Sequence, residues 1–355
     1  MPIKVFDFFS GCGGTSQGLR AAGCSVVLGV DNDPDAAATF RSNFPEAAFF
    51  AGDIRNLTVG QLIEFIPQSG DDYLLFSGCA PCQPFSKQNR NKPVKDERVP
   101  LLAEFGRLVA AFWPELIFVE NVPGLQSASQ EKGPFADFLR LLKRLGYRVS
   151  YRVVLSQDYG VPQRRRRLVL IASSLGTIPF PSATHGPGTA TPYSTVWDYI
   201  ADLPSIQAGE EHPGVLNHRA AMLSEMNAKR IASTPVGGGR LDWRSELRLP
   251  CHTQRGHDGH TDVYGRMKKY EPASALTTRC VSLSNGRYGH PEQDRAISVR
   301  EAACLQTFPR DFGFKGNLGS MARQIGNAVP VLLAERFGDA YIAHVNAHAT
   351  RGLVR

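Results

Sequence analysis

No apolar run in this chain approaches the ~18 uninterrupted residues that a membrane span needs, so a membrane-spanning helix is not expected. The opening residues, Ile3-Lys4-Val5-Phe6-Asp7-Phe8-Phe9, carry neither a basic leader nor a small-residue cleavage site, and no secretory signal is expected. Seven cysteines, odd in number and scattered, do not build a disulfide framework. Together these absences predict a cytoplasmic protein with reduced thiols and no membrane partner. Internal repeats and low-complexity tracts are missing as well. His252, His257 and His260 lie near Cys251, but their spacing matches no standard zinc pattern, so no metal is expected.

What is present has globular proportions. Apolar residues make up 42% and charged residues 21% of 355, enough for one large domain and a smaller one. The net charge of +7 suits a polyanionic partner.

The chain opens with a strand at 3–9, then Ser10-Gly11-Cys12-Gly13-Gly14, then a helix from Thr15 to Ala22 closed by Gly23. Strand, glycine turn and helix form the first unit of a nucleotide-binding βαβ fold, in which glycines admit a ligand close to the backbone. The spacing is not the dinucleotide G-x-G-x-x-G, which argues against a nicotinamide-dependent oxidoreductase. A second strand, Ser25 to Val30, reaches Asp31-Asn32, and Asp33-Pro34 starts a helix over 34–43. Asp31 stands where a carboxylate grips ribose hydroxyls in such folds. After a weak third strand (Ala47 to Phe50), Asp53 and Ile54 are a pair suited to an adenine: the acid accepts from the amine and the side chain covers a ring face.

Asp72 to Phe76 reads as a buried strand, and Ser77-Gly78-Cys79-Ala80-Pro81-Cys82-Gln83-Pro84 follows it. Cys82 is presented just past a strand end between two prolines. It is either a reactive thiol or one more small buried residue. Lys87 to Arg98 is a polar stretch suited to a closing loop. Leu101 to Phe112 reads as a helix, Glu115 to Val119 as a strand ending at Glu120, and 133–145 as a helix with one apolar face. Glu120 shares an edge with Cys82 if the strands are parallel. A strand from Tyr147 to Leu155 precedes Gln163 and the four arginines Arg164 to Arg167; in an extended run Arg165 and Arg167 share a face. From Pro179 the texture turns irregular and strand-like, rich in Pro, Gly, Thr, His and Arg. Helical patterns return at Ser298 to Gln306 and Val331 to Val345, with 346–355 reading as a frayed tail.

Read in order, these blocks resemble the DNA (cytosine-5)-methyltransferase family of the bacterial restriction-modification type, and the likeness covers nearly the whole chain. It rests on Asp7-Phe8-Phe9-Ser10-Gly11-Cys12-Gly13-Gly14, Asp31, Gly52-Asp53-Ile54 and Pro81-Cys82-Gln83. It continues through Glu120-Asn121-Val122, Gln163 with Arg165 and Arg167, Arg300-Glu301-Ala302-Ala303, and Gln324-Ile325-Gly326-Asn327. Two positions depart from the family pattern: Ala80 stands where proline is usual, and Asp31 where glutamate is common.

The resemblance implies a Rossmann-like, doubly wound, mostly parallel α/β sheet with a smaller irregular β-rich target-recognition domain. The expected division is 1–179 for the catalytic domain, 180–315 for the small domain, and 316–355 for a segment returning to the first. It also implies methyl transfer from S-adenosylmethionine, leaving S-adenosylhomocysteine, to C5 of a cytosine flipped out of duplex DNA. Cys82 would add to C6 as a thiolate, Glu120 would protonate N3, and Arg165 and Arg167 would hold the base and a nearby phosphate, their individual roles left open. The cofactor would contact Phe9, Gly11, Gly13, Gly14, Asp31, Asn32, Asp53, Ile54, Pro81, Asn327 and Val329. A monomer is expected, with a cognate restriction endonuclease acting separately. Two rivals stay in view: a methylator of RNA cytosine sharing every block, and a catalytically dead DNA-binding regulator, which would be expected to have lost Cys82 or Glu120.

Overall fold

The computed structural model describes residues 2–66, 72–80, 101–123, 133–250 and 261–353. The chain divides into two compact units. Residues 1–155, 166–183 and 329–355 form one; 156–165 and 184–328 form the other. This division differs from the expected one at three places: the ten residues 156–165, which include Arg164 and Arg165, join the second unit, the main boundary falls after residue 183 rather than 179, and the return to the first falls at Val329 rather than at 316.

The first unit is built on seven strands: β1 (Ile3–Phe8), β2 (Ser25–Asp31), β3 (Ala48–Ala51), β4 (Tyr73–Gly78), β5 (Leu116–Asn121), β6 (Arg148–Leu155) and β8 (Arg166–Ser173). They lie in the order β3-β2-β1-β4-β5-β8-β6, with β8 antiparallel to both neighbours and the remaining described ladders parallel. A parallel sheet is buried on both faces, and β1, β2, β4 and β5 read accordingly as mostly apolar runs. On one face Phe8 meets Phe76 and Phe105 at 5.1 and 5.5 Å between ring centroids. Phe105 comes from helix α4 (Leu101–Phe112), which packs with α5 (Pro134–Arg144) in the same core.

Helix α1 (Gly14–Ala21) meets the last helix, α10 (Val331–Leu353), at close range. A Cβ on Gly18 would lie 2.3 Å from Val331 O, and one on Gly338 would lie 2.5 Å from the Ala22 Cβ. Both positions require glycine because no side chain fits between the axes. Tyr341 Oη, buried, donates to Ile117 O at 2.6 Å and fastens α10 to β5. The helix runs on to Leu353, through the stretch expected to fray: residues 346–351 contain neither Gly nor Pro, and Thr350 Oγ1 caps Asn346 O at 2.9 Å.

The second unit has little regular structure of its own. Among the described residues its ladder is β7 (Gln163–Arg164) against β9 (Ala273–Ser274), two residues each, with four helices: α6 (Val196–Ile200), α7 (Glu225–Ala232), α8 (Val299–Leu305) and α9 (Leu318–Asn327). The irregular character follows the sequence expectation; the β-rich label does not. Buried arginines take over the role of ladders here. Arg266 donates to Thr234 O, Ile231 O, His290 O and Gln293 O at 2.6–2.9 Å, and Arg300 to Leu216 O, Pro309 O and Phe312 O at 2.7–3.1 Å. Each guanidinium offers five donors in a fixed fork, so one side chain satisfies carbonyls from several loops at once. Arg165, Arg230, Arg240, Arg266, Arg295 and Arg300 are all buried, and all belong to this unit. Part of the positive charge that suggested a polyanion partner is therefore internal scaffold.

Candidate active site

The parallel strands of the first unit end along one edge of the sheet, and their exits carry most of the residues singled out from sequence. Past β1 the turn takes Phe9, Gly11 and Gly13 through positive φ (61°, 52° and 95°), a region that disfavours side chains. Ser10 N donates to Val30 O at 3.0 Å and Gly13 N to Ser10 O at 2.9 Å, and Gly14 opens α1. A Cβ on Gly11 would meet nothing within 4 Å, so the turn borders open space at this point.

Asp31, at the end of β2, faces that turn. Its Oδ2 accepts from Gly11 N at 2.8 Å and its Oδ1 from Asp33 N at 2.9 Å. Burial raises its pKa, and these two N–H groups oppose the rise. Asn32 beside it is exposed. Gly52 N donates to Asp31 O at 2.9 Å, bringing the exit of β3 alongside. There Asp53 accepts from Arg55 N at 2.9 Å and pairs with Arg55 Nη2 at 2.6 Å, and Arg55 holds its carboxyl below the ordinary range. Ile54 is 2% exposed and belongs mainly to the core.

Asp7 lies beneath the turn and was not given a role from sequence. It is fully buried, its Oδ2 accepts from Ser16 Oγ at 2.7 Å, and burial pushes its pKa up to about 6. The available signal was an acid set between two phenylalanines in a strand whose other charged residue is Lys4.

At the exit of β5, Glu120 is 7% exposed and its Oε1 lies 2.7 Å from Arg167 Nε, from the start of antiparallel β8. Next to it, Asn121 Nδ2 donates to Ala80 O at 2.9 Å, and its Oδ1 accepts from Val122 N at 2.8 Å. Arg165 and Arg167 do not share one extended face. Arg165 N donates back to Gln163 O at 2.9 Å, a turn that interrupts the run between β7 and β8. The Arg165 guanidinium, 2% exposed, donates to Leu276 O, Gly326 O and Ala328 O at 2.8–3.2 Å within the second unit. Gly326 is itself fixed by contact, since a Cβ there would lie 2.1 Å from Thr277 O. Asn327 is exposed at the end of α9, and Val329 is buried where the first unit resumes.

The described thiols are all poor nucleophiles. Burial pushes Cys12, Cys24 and Cys280 up to about 12 and Cys304 up to about 11. Cys79 is raised further, by burial first and then by Glu120 and Asp7. The remaining two of the seven, Cys82 and Cys251, lie outside the described residues, as do Pro81, Gln83, the Lys87–Arg98 stretch and His252, His257 and His260.

Comparison with known proteins gives a consistent answer. The model of the C-5 cytosine-specific DNA methylase family matches residues 3–343. The type II methylase M.HgiDII of Herpetosiphon aurantiacus is 40% identical over 333 residues, covering 93% of this chain and 92% of that protein. The type II methyltransferase M1.HphI of Haemophilus parahaemolyticus is 34% identical over 346 residues, covering 96% and 87%. Among solved structures, a putative DNA modification methyltransferase encoded within an Escherichia coli prophage superposes with a TM-score of 0.76 at 25% identity, covering 97% of this chain and 99% of that one.

Proposed function

Because this chain belongs to the C-5 cytosine-specific DNA methylase family, we propose that the carboxyl edge of its seven-stranded sheet is the methyl-transfer site, with Cys82 as nucleophile and Glu120 as acid. The enzyme methylates C5 of cytosine in DNA and uses a methyl donor. The donor we assign is S-adenosylmethionine. The turn fits it: Gly11 borders open space at a positive φ, and the Asp31 carboxylate is held against Gly11 N at the strand tip where a ribose would lie. Phe9, Gly11, Gly13, Gly14, Asp31 and Asn32 would hold its sugar and methionine parts, Asp53 and Ile54 its adenine, with Pro81, Asn327 and Val329 as further contacts. When bound, this cofactor supplies an electrophilic methyl group.

Cytosine C5 is too weak a nucleophile to take that methyl unaided. Addition of the Cys82 thiolate to C6 breaks the ring's aromaticity and pushes electron density toward N3 and C5. Glu120 delivers a proton to N3, which keeps the negative charge from building up there. Arg167, already 2.7 Å from Glu120, orients that carboxyl and reaches the same side of the base. Arg165 acts in a different way, by holding the C-terminal end of α9 at Gly326 and Ala328 from within the second unit. After methylation a base removes the C5 proton, the electron pair reforms the double bond, and Cys82 leaves. Perpendicular attack on C6 requires the cytosine to leave the stack, at a cost of a few kcal/mol.

The observation that carries this reading is the pair of buried Glu120 with half-buried Arg167 at the exit of β5, beside the exit of β4 that leads to Cys82. Glu120→Gln is expected to lower kcat on duplex DNA by about 10²–10⁴-fold, the usual worth of a positioned acid, with tritium transfer from labelled cofactor as the assay. Wild-type turnover by this variant would overturn the assignment. Transfer RNA, assayed in parallel, is expected to accept no label.

We assign DNA sequence recognition to the second unit, chiefly residues 180–290. Replacing that segment with the equivalent of another type II methyltransferase is expected to move methylation to the donor enzyme's site, read by bisulfite sequencing. An active chimera that still marks the original site would refute the assignment. A monomeric enzyme and a separately acting restriction endonuclease complete the proposal.

A further inference from the structure

The parallel ladder between β4 and β5 closes at Ser77–Phe118. Beyond that pair β4 keeps only its other neighbour, with Gly78 beside Phe8 of β1, and Cys82 follows four residues later in the chain. Three described contacts tie this exit down, one of them that of the Cys79 thiol with Thr15 Oγ1 at 3.6 Å. Cys79 N donates to Phe8 O at a long 3.4 Å, while Asn121 Nδ2 donates to Ala80 O at 2.9 Å in a buried setting. The Asn121 amide is itself oriented, because its Oδ1 accepts from Val122 N at 2.8 Å. Asn121 is 4% exposed and adjoins Glu120 in the chain.

We propose that Asn121 is a positioning residue for the nucleophile: its amide takes over where the backbone ladder stops and fixes the chain two residues ahead of Cys82 relative to Glu120. The inference rests on the reading of Cys82 as nucleophile and deepens it. Attack on C6 and proton delivery to N3 must occur on the same ring at once, so the two side chains need a fixed separation. The Asn121 amide supplies such a constraint between the two strand ends, past the last described β4–β5 backbone pair. The chain's own residue at position 80 raises the dependence. Alanine keeps φ freedom that proline would remove, so the hydrogen bond to its carbonyl carries more of the ordering.

Removal of the tether is expected to slow chemistry without weakening binding, since neither Asn121 nor Ala80 is assigned to the cofactor or to DNA. Asn121→Ala is therefore expected to reduce the single-turnover rate of covalent adduct formation on 5-fluorocytosine duplex DNA by about 10²-fold, the size of effect that a 1 Å misplacement produces. Affinities for S-adenosylmethionine and DNA are expected to stay within about twofold, in keeping with a loss of orientation rather than of contact. In the Asn121→Ala background, Ala80→Pro is expected to restore about a tenfold part of the rate by stiffening the same segment.

Adduct formation at the wild-type rate, or loss of rate matched by equal loss of cofactor or DNA affinity, overturns the proposal. So does a circular dichroism melt showing that Asn121→Ala is unfolded at the assay temperature while Asn121→Ser, folded and equally without the long amide, reacts at the wild-type rate. Peptide mapping of the adduct separates the two layers. A link at another cysteine refutes Cys82 as nucleophile, whereas a link at Cys82 formed at full speed refutes only the role of Asn121.

Discussion

Duplex DNA carrying 5-fluorocytosine at the target base is expected to leave the enzyme covalently attached through Cys82, and only when S-adenosylmethionine is present. Release from the enzyme requires loss of a proton from C5. Fluorine at that carbon leaves no proton to remove, so the species linking Cys82 to C6 persists once the methyl group has been transferred. The cofactor requirement follows because transfer precedes the blocked step. The denaturation-resistant complex is scored by gel mobility and its link located by peptide mapping.

The thiols make the outcome selective. A free cysteine with pKa near 8.5 is only a few per cent ionised at neutral pH. Five of the seven here are buried further into the thiol form, to about 11–12 or beyond. Cys82→Ala is therefore expected to abolish both the adduct and methyl transfer. Cys79→Ala, three residues away, is expected to keep most of the activity, because the Cys79 thiol is held by burial in its protonated form and contacts Thr15 Oγ1 at 3.6 Å. Substantial turnover by the Cys82 variant would sink the covalent mechanism.

The largest effect on stability is expected from Glu301→Ala. Arg295 and Glu301 are each 1% exposed and form a two-pronged pair, Nη1 to Oε2 at 2.7 Å and Nη2 to Oε1 at 2.6 Å. Glu301 also accepts from Ser298 N at 2.7 Å, which closes the cap of α8. Truncation leaves a buried guanidinium without its counter-charge, a loss of about 3–5 kcal/mol, whereas replacing both partners by apolar residues is far milder. Thermal melts of the single and double variants measure the difference. An equal or smaller loss in the single variant would show that the pair is not what holds this region.

Acid should weaken the same region in two stages. Burial lowers the pKa of His290 to about 4, so the unfolded chain binds the extra proton first. Stability from this group is complete above the unfolded value of about 6.5 and falls as pH drops toward 4. Burial would raise Glu301, but its bonds to Arg295 outweigh that and hold it below the ordinary range. Its contribution is present above about 4.3 and is lost as pH falls through the lower folded value. The Glu301 variant is expected to lack the second stage, as denaturant midpoints against pH would reveal.

Much of the first unit was legible along the chain because its determinants are local. Strands β1, β2, β4 and β5 are apolar runs ended by glycine or by an acid, and α2 (Pro34–Asn43) begins where Asp33 caps and Pro34 can only start a helix. The glycine turn, Asp31 and Glu120 are set at strand ends by those same short-range signals, so their order along the chain already placed them on one sheet edge once the strands were parallel. Short-range rules did not reach the partners those residues find. Arg165 and Arg167 are two positions apart in an arginine run, yet one binds carbonyls at 276, 326 and 328 and the other a carboxylate at 120. Which carbonyls lie bare beside a guanidinium depends on loops that meet only after folding. The same holds for the amide of Asn121 and the carbonyl of Ala80, and for the buried arginines that stand in for a sheet in the second unit. Hydrophobic period and capping act within a few residues and so determined the elements. Hydrogen bonds between distant polar groups depend on burial, and only the tertiary structure decided them.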